Sequence, residues 1–153
     1  MFMYYPDNYA LSAKVVRAIG GICSGQAEFD EIYKVLQKID PKNLETWTNA
    51  WNDMGDRLRD MAIEAESKGH YVTAGGEYSR AVGYYHNAQF YLDSYDPRRL
   101  EIYMKYRECF KKGTQWEESV PVEVHIPYED TFLYAYYLKT TRPAAGMKSP
   151  TMV

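Results

Sequence analysis

The sequence predicts a mainly α-helical chain that ends in a β-hairpin, and the period of its apolar residues carries this prediction. Over residues 9–115 the apolar residues recur at the three- and four-residue spacing of helices. From Val120 onward they alternate with polar residues, as in strands that bury one face. We place the boundary between a helical domain, residues 1–116, and a strand-forming domain, residues 117–153, at this change of period.

A long helix is predicted after Asn43, which suits the N-cap position because its short side chain can accept a backbone hydrogen bond. Asp53, Asp56 and Asp60 lie between the apolar positions of this helix and are expected to face water. Gly69 is expected to end it, because glycine adopts the left-handed C′ conformation without strain. The apolar stripe consists of Leu44, Trp47, Trp51, Met54, Leu58, Met61 and Ala65.

The other helices follow from the same period. Residues 71–93 predict a second long helix that packs antiparallel to the first. Residues 28–39 and 97–112 predict shorter helices on either side, the latter with Pro97 at its first position. Residues 10–19 predict an N-terminal helical turn.

Two strands are predicted near the C-terminus. Residues 120–126 place valine and isoleucine on one face, and residues 132–138 form the antiparallel partner after a connection over residues 127–131. An isolated hairpin is marginal in water, so these strands need a larger sheet to join. Residues 150–153 are expected to begin a third strand.

Composition excludes several classes of protein. A chain of 153 residues with 46% hydrophobic residues can bury a sizeable core, unlike a disordered or disulfide-stapled chain. Its net charge of −3 is too balanced for a nucleic-acid or anionic-membrane surface, so neither partner is expected. Cys23 and Cys109 lack the spacing of a metal or redox motif and are interpreted as buried free thiols. Residues 1–8 carry no positively charged segment ahead of an apolar run, as a leader peptide would, so we expect a cytoplasmic protein.

The sequence contains no catalytic motif that we recognise. It has no Gly-x-Ser-x-Gly elbow, dinucleotide fingerprint, Walker loop or His-Glu-x-x-His sequence. His70, His86 and His125 are too scattered to form a metal site by local spacing, and we expect them at the surface or at an interface. We therefore assign no catalytic residue, metal ligand or cofactor-binding residue to this chain.

Tyrosine is the distinctive residue, with sixteen in all and eight between Tyr71 and Tyr106. The main apolar stripe of the second long helix consists of Ala74, Tyr78, Ala81, Tyr85, Ala88 and Leu92. Tyr84 and Tyr91 lie seven apart and give this helix a second aromatic face. Two interpretations stay open for this face and the nearby rings of Phe90, Tyr103 and Tyr106. The rings pack against the following helix with their hydroxyls at the rim, or they cover an apolar or aromatic substrate cavity formed against another domain.

Several short segments occur in an order and spacing that we recognise. They are Ala18-Ile19-Gly20-Gly21, Gly25-Gln26-Ala27-Glu28-Phe29, Trp47-Thr48-Asn49-Ala50-Trp51, Tyr78-Ser79-Arg80-Ala81, Tyr84-Tyr85, Ala88-Gln89-Phe90 and Pro97-Arg98. Together they resemble the N-terminal helical cap of a group of α/β-hydrolases. That group includes fungal hydrolases that shorten polyketides, the bacterial dihydroxypseudooxynicotine hydrolase and esterase-like relatives of the fermentation-respiration-switch protein.

This resemblance implies an antiparallel helical cap followed by the first two strands, and the start of the third, of an α/β-hydrolase sheet. It implies that the nucleophilic serine, the acid and the histidine lie beyond Val153. The whole protein would then hydrolyse an ester or a carbon–carbon bond of an aromatic, polyketide-like small molecule, without a cofactor. Carried over as substrate-pocket candidates are Arg80, Tyr84 and Tyr85, to which the tyrosine pattern adds Tyr91.

Two alternatives remain. One segment resembles a tetratricopeptide unit in the spacing of Trp51, Gly55, Tyr71 and Ala74. This resemblance predicts a small protein-interaction module without catalysis. The match is imperfect, since the alanine of the tetratricopeptide pattern, counted from Trp51, falls about seven residues before Ala74. No second copy of the unit follows in this sequence. The other alternative is a truncated gene product that is stable only as an oligomer, such as a homodimer that covers the hairpin.

Overall fold

The computed structural model describes residues 4–139. Within them the chain is mainly α-helical and ends in a two-stranded antiparallel sheet, which confirms the predicted fold class. It divides into two compact units, of which the first ends at Gly113 and the second begins at Thr114. The predicted third strand, residues 150–153, lies outside the described residues. The elements are α1 (Tyr9–Gly20), a short 3-10 helix (Gly21–Ser24), α2 (Phe29–Leu36), α3 (Glu45–Ser67), α4 (Tyr71–Ala88), α5 (Pro97–Thr114), β1 (Val122–Tyr128) and β2 (Thr131–Tyr137).

Helices α3 and α4 form the antiparallel pair that the sequence predicts. Near the start of α3, Trp47 Nε1 donates to the carbonyl oxygen of Asn87, near the end of α4, at 2.9 Å. Near the other end of the pair, the Tyr78 hydroxyl donates to Glu66 at 2.8 Å. These two contacts at opposite ends show that α3 and α4 run antiparallel. The hydrophobic core of the first unit draws buried residues from all five α-helices.

The ends of α3 differ slightly from the prediction. The helix begins at Glu45, whose backbone N–H donates to the Asn43 side chain at 3.2 Å. Leu44 therefore precedes the helix and is 41% exposed, so it is not part of the buried stripe. Gly69 ends the helix as predicted, with a φ of 76°. The His70 N–H bonds back to the carbonyl oxygen of Ala65 at 2.9 Å, which completes a Schellman cap.

Met61 was also predicted to be buried, but it is 39% exposed. A strict alternation of three and four residues averages 3.5 residues per turn, whereas an α-helix has 3.6. The buried stripe therefore drifts along α3, and Ala62 takes the buried position after Leu58.

Helix α4 ends at Ala88, five residues before the predicted end at Asp93. Residues 89–92 form tighter turns, in which the Leu92 N–H bonds to the carbonyl oxygen of Gln89 at 3.3 Å. Leu92 is nevertheless buried, so the apolar period continues past the end of the regular helix.

Two further residues correct or qualify the sequence analysis. Cys109 is a buried free thiol as predicted, but Cys23 lies in the 3-10 helix and is exposed.

Among the described residues, no helix combines the length and apolar character needed to cross a membrane.

The hairpin pairs residue by residue, with Val124 opposite Ala135 and His125 opposite Tyr134. The connection is shorter than predicted, because residues 127–128 and Thr131 belong to the strands and only residues 129–130 form the turn. Strand β1 also begins at residue 122 instead of 120. Both faces of the hairpin are exposed, as shown by Ile126 at 48% on one face and Tyr134 at 53% on the other.

Glu77 on α4 is a buried carboxylate, and its Oε2 has no hydrogen-bond partner among the described residues. Burial raises its pKa, the nearby Arg80 opposes this shift, and Glu31 and Glu64 add to it. Because the folded pKa lies above the unfolded one, the charged form costs stability at neutral pH, and that cost disappears as the pH falls.

The variant Glu77→Gln should therefore be more stable than the parent chain at about pH 7, and the gain should shrink towards about pH 3. Urea unfolding at a series of pH values measures this difference, with the exposed Glu118→Gln as the matched control. A variant that is less stable at every pH would contradict the assignment of Glu77 as a costly buried charge.

Candidate functional site

Three tyrosines of α4 bury their rings and place their hydroxyls on carboxylates from other helices. Each carboxylate also lies beside a cation, so each tyrosine begins a chain of three polar groups. These groups are Tyr78–Glu66–Lys112, with distances of 2.8 and 3.1 Å, Tyr84–Glu31–Arg80, with 2.9 and 3.2 Å, and Tyr85–Asp56–Lys105, with 2.7 and 3.1 Å.

The structure thus brings Arg80 and Tyr84 together on Glu31, while Tyr85 reaches Asp56 on α3. Arg80 contacts Glu31 as an ion pair, without the geometry of a hydrogen bond at its Nε. Burial and the adjacent carboxylate raise the pKa of both tyrosine hydroxyls well above the usual value. Both hydroxyls therefore stay protonated and act as hydrogen-bond donors that join helices.

The fourth predicted residue, Tyr91, packs edge to face on Trp47, with ring centroids 5.4 Å apart. Tyr84 also borders a small pocket of about 200 Å³, together with Trp51 and Gly83. Within the described residues, all four side chains contact other residues of the first unit, through hydrogen bonds, an ion pair or ring packing. A contact of any of them with a substrate stays a prediction.

Glu31, Asp56 and Glu66 were not singled out by the sequence analysis as partners of the tyrosines. Asp56 was expected to face water, but it is half-buried and accepts the Tyr85 hydrogen bond. The expectation was wrong because Asp56 lies at the edge of the apolar stripe, where a neighbouring helix can reach it. The apolar period gives no indication of which edge residue a second helix will contact.

We expect Tyr85→Phe to lower the free energy of unfolding by about 1 kcal/mol, the usual net contribution of one hydrogen bond. The ring stays in place, so the effect isolates the 2.7 Å bond from the hydroxyl to Asp56. Urea unfolding measures it, with Tyr33→Phe on the exposed face of α2 as the control. Equal stability of the two variants would mean that the hydroxyl contributes nothing to the α3–α4 contact.

An aromatic hollow of about 320 Å³ opens on the surface of the first unit, beside the end of α4 and the middle of α5. Tyr103 and Tyr106 are three residues apart on α5 and stack with centroids 6.1 Å apart and planes 12° from parallel. Tyr103 is 40% exposed, so part of its side chain is accessible to a ligand. The aromatic hollow is lined by His86, Gln89, Phe90, Arg99, Tyr103 and Tyr106.

Two cations lie at the hollow, Arg99 in its lining and Lys14 against the Phe90 ring. Lys14 Nζ lies 3.5 Å from the centroid of the Phe90 ring, an arrangement typical of a cation–π contact. The pKa of His86 is lowered by partial burial and further by the charges of Lys14 and Arg17. Arg99 Nη1 donates to the carbonyl oxygen of Leu92 at 3.1 Å, which holds the guanidinium beside the end of α4.

The hollow offers binding groups but no recognised catalytic set. Over residues 4–139, no three His, Cys, Asp or Glu side chains lie close enough together to hold a metal ion. His70, His86 and His125 are exposed as predicted. On the hairpin, His125 Nε2 lies 3.0 Å from Glu123 Oε1, and the Tyr136 hydroxyl donates to the other oxygen of Glu123 at 3.4 Å. His125, Glu123 and Tyr136 all lie in the second unit.

Comparison with known proteins gives relatives along most of the chain, although no protein-family model matches it. The hydrolase acrC of Aspergillus aculeatus is 31% identical over 133 residues, which cover 85% of this chain and 31% of that protein. The α/β-hydrolase xenA of Xenoacremonium sinensis is 29% identical over 138 residues, which cover 90% of this chain and 32% of that protein. The hydrolase phmG of Phaeosphaeria nodorum is 30% identical over 131 residues, 82% of this chain and 30% of that protein.

The chain therefore spans about a third of the length of the curated relatives that it matches. Their names agree with the resemblance that the order of segments in the sequence indicates. The chain is homologous to part of a group of fungal proteins named α/β-hydrolases and hydrolases.

Proposed function

We propose that the chain is the substrate-lid portion, with the first sheet strands, of a serine α/β-hydrolase. The whole protein acts on an ester or a carbon–carbon bond of an aromatic or polyketide-like small molecule. The observation that carries this proposal is the aromatic hollow, an open set of rings on a helical unit that is related to part of known hydrolases. The relatives are about three times as long as the region of similarity, which leaves room for the catalytic residues in the remaining length.

The helical unit supplies a preformed wall for the substrate. The three tyrosine–carboxylate contacts join α4 to neighbouring helices, so the turn that follows α4 and carries Phe90 starts from a fixed helix. Aromatic side chains with few rotatable bonds bind a planar substrate with little loss of conformational entropy. A wall of this kind excludes water from the reacting bond and orients it towards the nucleophile.

The chemistry itself belongs to the remaining length of the hydrolase. There a serine attacks the carbonyl carbon, a histidine accepts its proton and returns it to the leaving group, and backbone N–H groups stabilise the oxyanion. Water, deprotonated by the same histidine, then attacks the acyl-serine, which releases the acid and restores the serine hydroxyl. The hairpin contributes to the sheet on which those groups are placed. Its exposed valine, isoleucine and leucine side chains favour burial in a larger sheet over exposure to water.

Ester hydrolysis tests the proposal. Residues 1–153 alone should not hydrolyse p-nitrophenyl butyrate, whereas the complete polypeptide that contains them should do so and should lose activity with a serine-directed sulfonyl fluoride. Turnover by residues 1–153 alone would contradict the proposal, because it would place a nucleophile within this chain. Inactivity of the complete polypeptide towards both aryl esters and aryl β-diketones would contradict it as well.

A second comparison tests the lid role in the complete polypeptide. We expect Tyr103→Ala to lower kcat/KM for methyl 2-naphthoate by about tenfold, as expected for the loss of one stacking contact. The same variant should leave kcat/KM for p-nitrophenyl acetate, which has no second ring, within about twofold. Tyr33→Ala on the exposed face of α2 is the matched control and should change neither value. Equal losses for both substrates would indicate a structural effect instead of a lid contact.

A further inference from the structure

We infer that the aromatic hollow selects planar aromatic ligands that carry a negative charge, such as a carboxylate or a phenolate. Lys14 and Arg99 attract the anionic group of such a ligand. The inference deepens the proposed lid function, since the same hollow would cover the substrate. It concerns ligand binding by the first unit alone, so it can fail independently of the hydrolase activity.

The aromatic part of the ligand is recognised by rings that are already arranged for stacking. Tyr103 and Tyr106 lie nearly parallel on α5, and His86 packs edge to face on Phe90 with centroids 5.0 Å apart. Offset stacking and edge-to-face contacts are the arrangements that aromatic rings prefer. The planar ring of a ligand can therefore stack on Tyr103 in the hollow without rearrangement of the helices.

The charge of the ligand is recognised by cations that lack an ion-pair partner. Within residues 4–139, Lys14, Arg17 and Arg99 have no carboxylate within 4 Å. By contrast, Lys105 and Lys112 each lie 3.1 Å from a carboxylate.

Two of these cations also lie near His86, since partial burial lowers the pKa of His86 and the charges of Lys14 and Arg17 lower it further. An anion placed in the hollow lies beside Arg99 and near Lys14, neither of which has a carboxylate within 4 Å among residues 4–139, and beside rings that partly exclude water. Both conditions strengthen its attraction to the cations.

The test is an NMR titration of the isotope-labelled chain with 2-naphthoate and with 2-naphthamide, its neutral analogue of nearly the same shape. We expect 2-naphthoate to bind about fivefold more tightly, and we expect the preference to shrink as salt rises from about 0.05 to about 0.5 M. Resonances of Phe90 and Tyr103 should move with both ligands. The pKa of His86, followed through its ring resonances, should rise with 2-naphthoate and stay unchanged with 2-naphthamide.

Variants separate the charge from the ring. Lys14→Gln and Arg99→Gln should each reduce the preference for 2-naphthoate by about twofold or more and leave the affinity for 2-naphthamide unchanged. Tyr103→Ala should weaken both ligands, and Lys42→Gln, at an exposed position before α3, is the control that should weaken neither. A well-dispersed amide spectrum for each variant shows that the first unit is folded.

Equal affinities for 2-naphthoate and 2-naphthamide, or no binding of either, would overturn the inference. Shifts confined to hairpin residues such as Val124 and Leu133 would overturn it too, because they would place the ligand on the other unit. If the complete polypeptide hydrolyses aryl esters and the preference for the anion is absent, only this inference fails. If the preference is present and hydrolysis is absent, the hollow is a ligand site without a lid role.

Discussion

Replacing Trp51 by alanine is expected to lower the free energy of unfolding by about 3–5 kcal/mol, the usual cost of truncating a fully buried aromatic side chain. Trp51 is 1% exposed and lies between two other rings of the core. Its centroid is 5.4 Å from that of Trp47 and 5.5 Å from that of Tyr84. The variant leaves a cavity in the middle of the α3–α4 contact, where neither helix can move inwards without losing its other contacts.

Urea unfolding followed by circular dichroism measures the loss. Tyr95→Ala is the matched control, because Tyr95 is an aromatic residue that is 94% exposed, and its truncation should change stability by less than about 0.5 kcal/mol. A loss under about 1 kcal/mol for Trp51→Ala would contradict the assignment of this indole to the core.

Gly55→Ala is expected to lower the free energy of unfolding by about 1–3 kcal/mol, although alanine is the better helix former. A methyl group on Gly55 would lie 2.7 Å from Cε1 and 2.8 Å from Cδ1 of Tyr85. The Tyr85 ring cannot turn away freely, because its hydroxyl is bonded to Asp56 at 2.7 Å. Either α4 moves away from α3 or that hydrogen bond breaks.

Gly76→Ala is the control that isolates the steric effect. Gly76 lies in α4 and is exposed, and apart from its own helix backbone the nearest atom to an added methyl group is Arg80 Nη1, at 4.0 Å. There the same substitution should raise the free energy of unfolding by about 0.5–1 kcal/mol, because alanine loses less backbone entropy than glycine in a helix. If both substitutions raised stability, the close approach of α3 and α4 at Gly55 would be contradicted.

Most of the helical architecture could be predicted from the sequence, because a helix with one buried face places its apolar residues at a regular local spacing. Helix α3 buries the centre of its predicted stripe, and α5 begins at Pro97, the residue expected at its first position. The errors lie at the ends of elements. Leu44, for example, continues the apolar period but precedes the helix, since a period does not record where backbone hydrogen bonding begins.

The candidate site was less predictable, because it depends on contacts between residues far apart in the chain. The aromatic set named from the sequence included Phe90, Tyr103 and Tyr106, which do line one hollow. Lys14 was not singled out, because α1 and the Phe90 ring are separated by the whole α2–α4 region in sequence. A single sequence contains no local pattern that pairs residues at such a distance.

The central claim is that this chain forms the lid and first strands of a longer serine hydrolase, and sequencing of the native transcript beyond the Val153 codon tests it most directly. Intact mass of the native protein checks where the product ends. The account predicts a continuous reading frame that enters a glycine-rich loop and then a Gly-x-Ser-x-Gly sequence. A stop codon directly after Val153, with a matching mass, would contradict the account, since no nucleophile could then serve the lid.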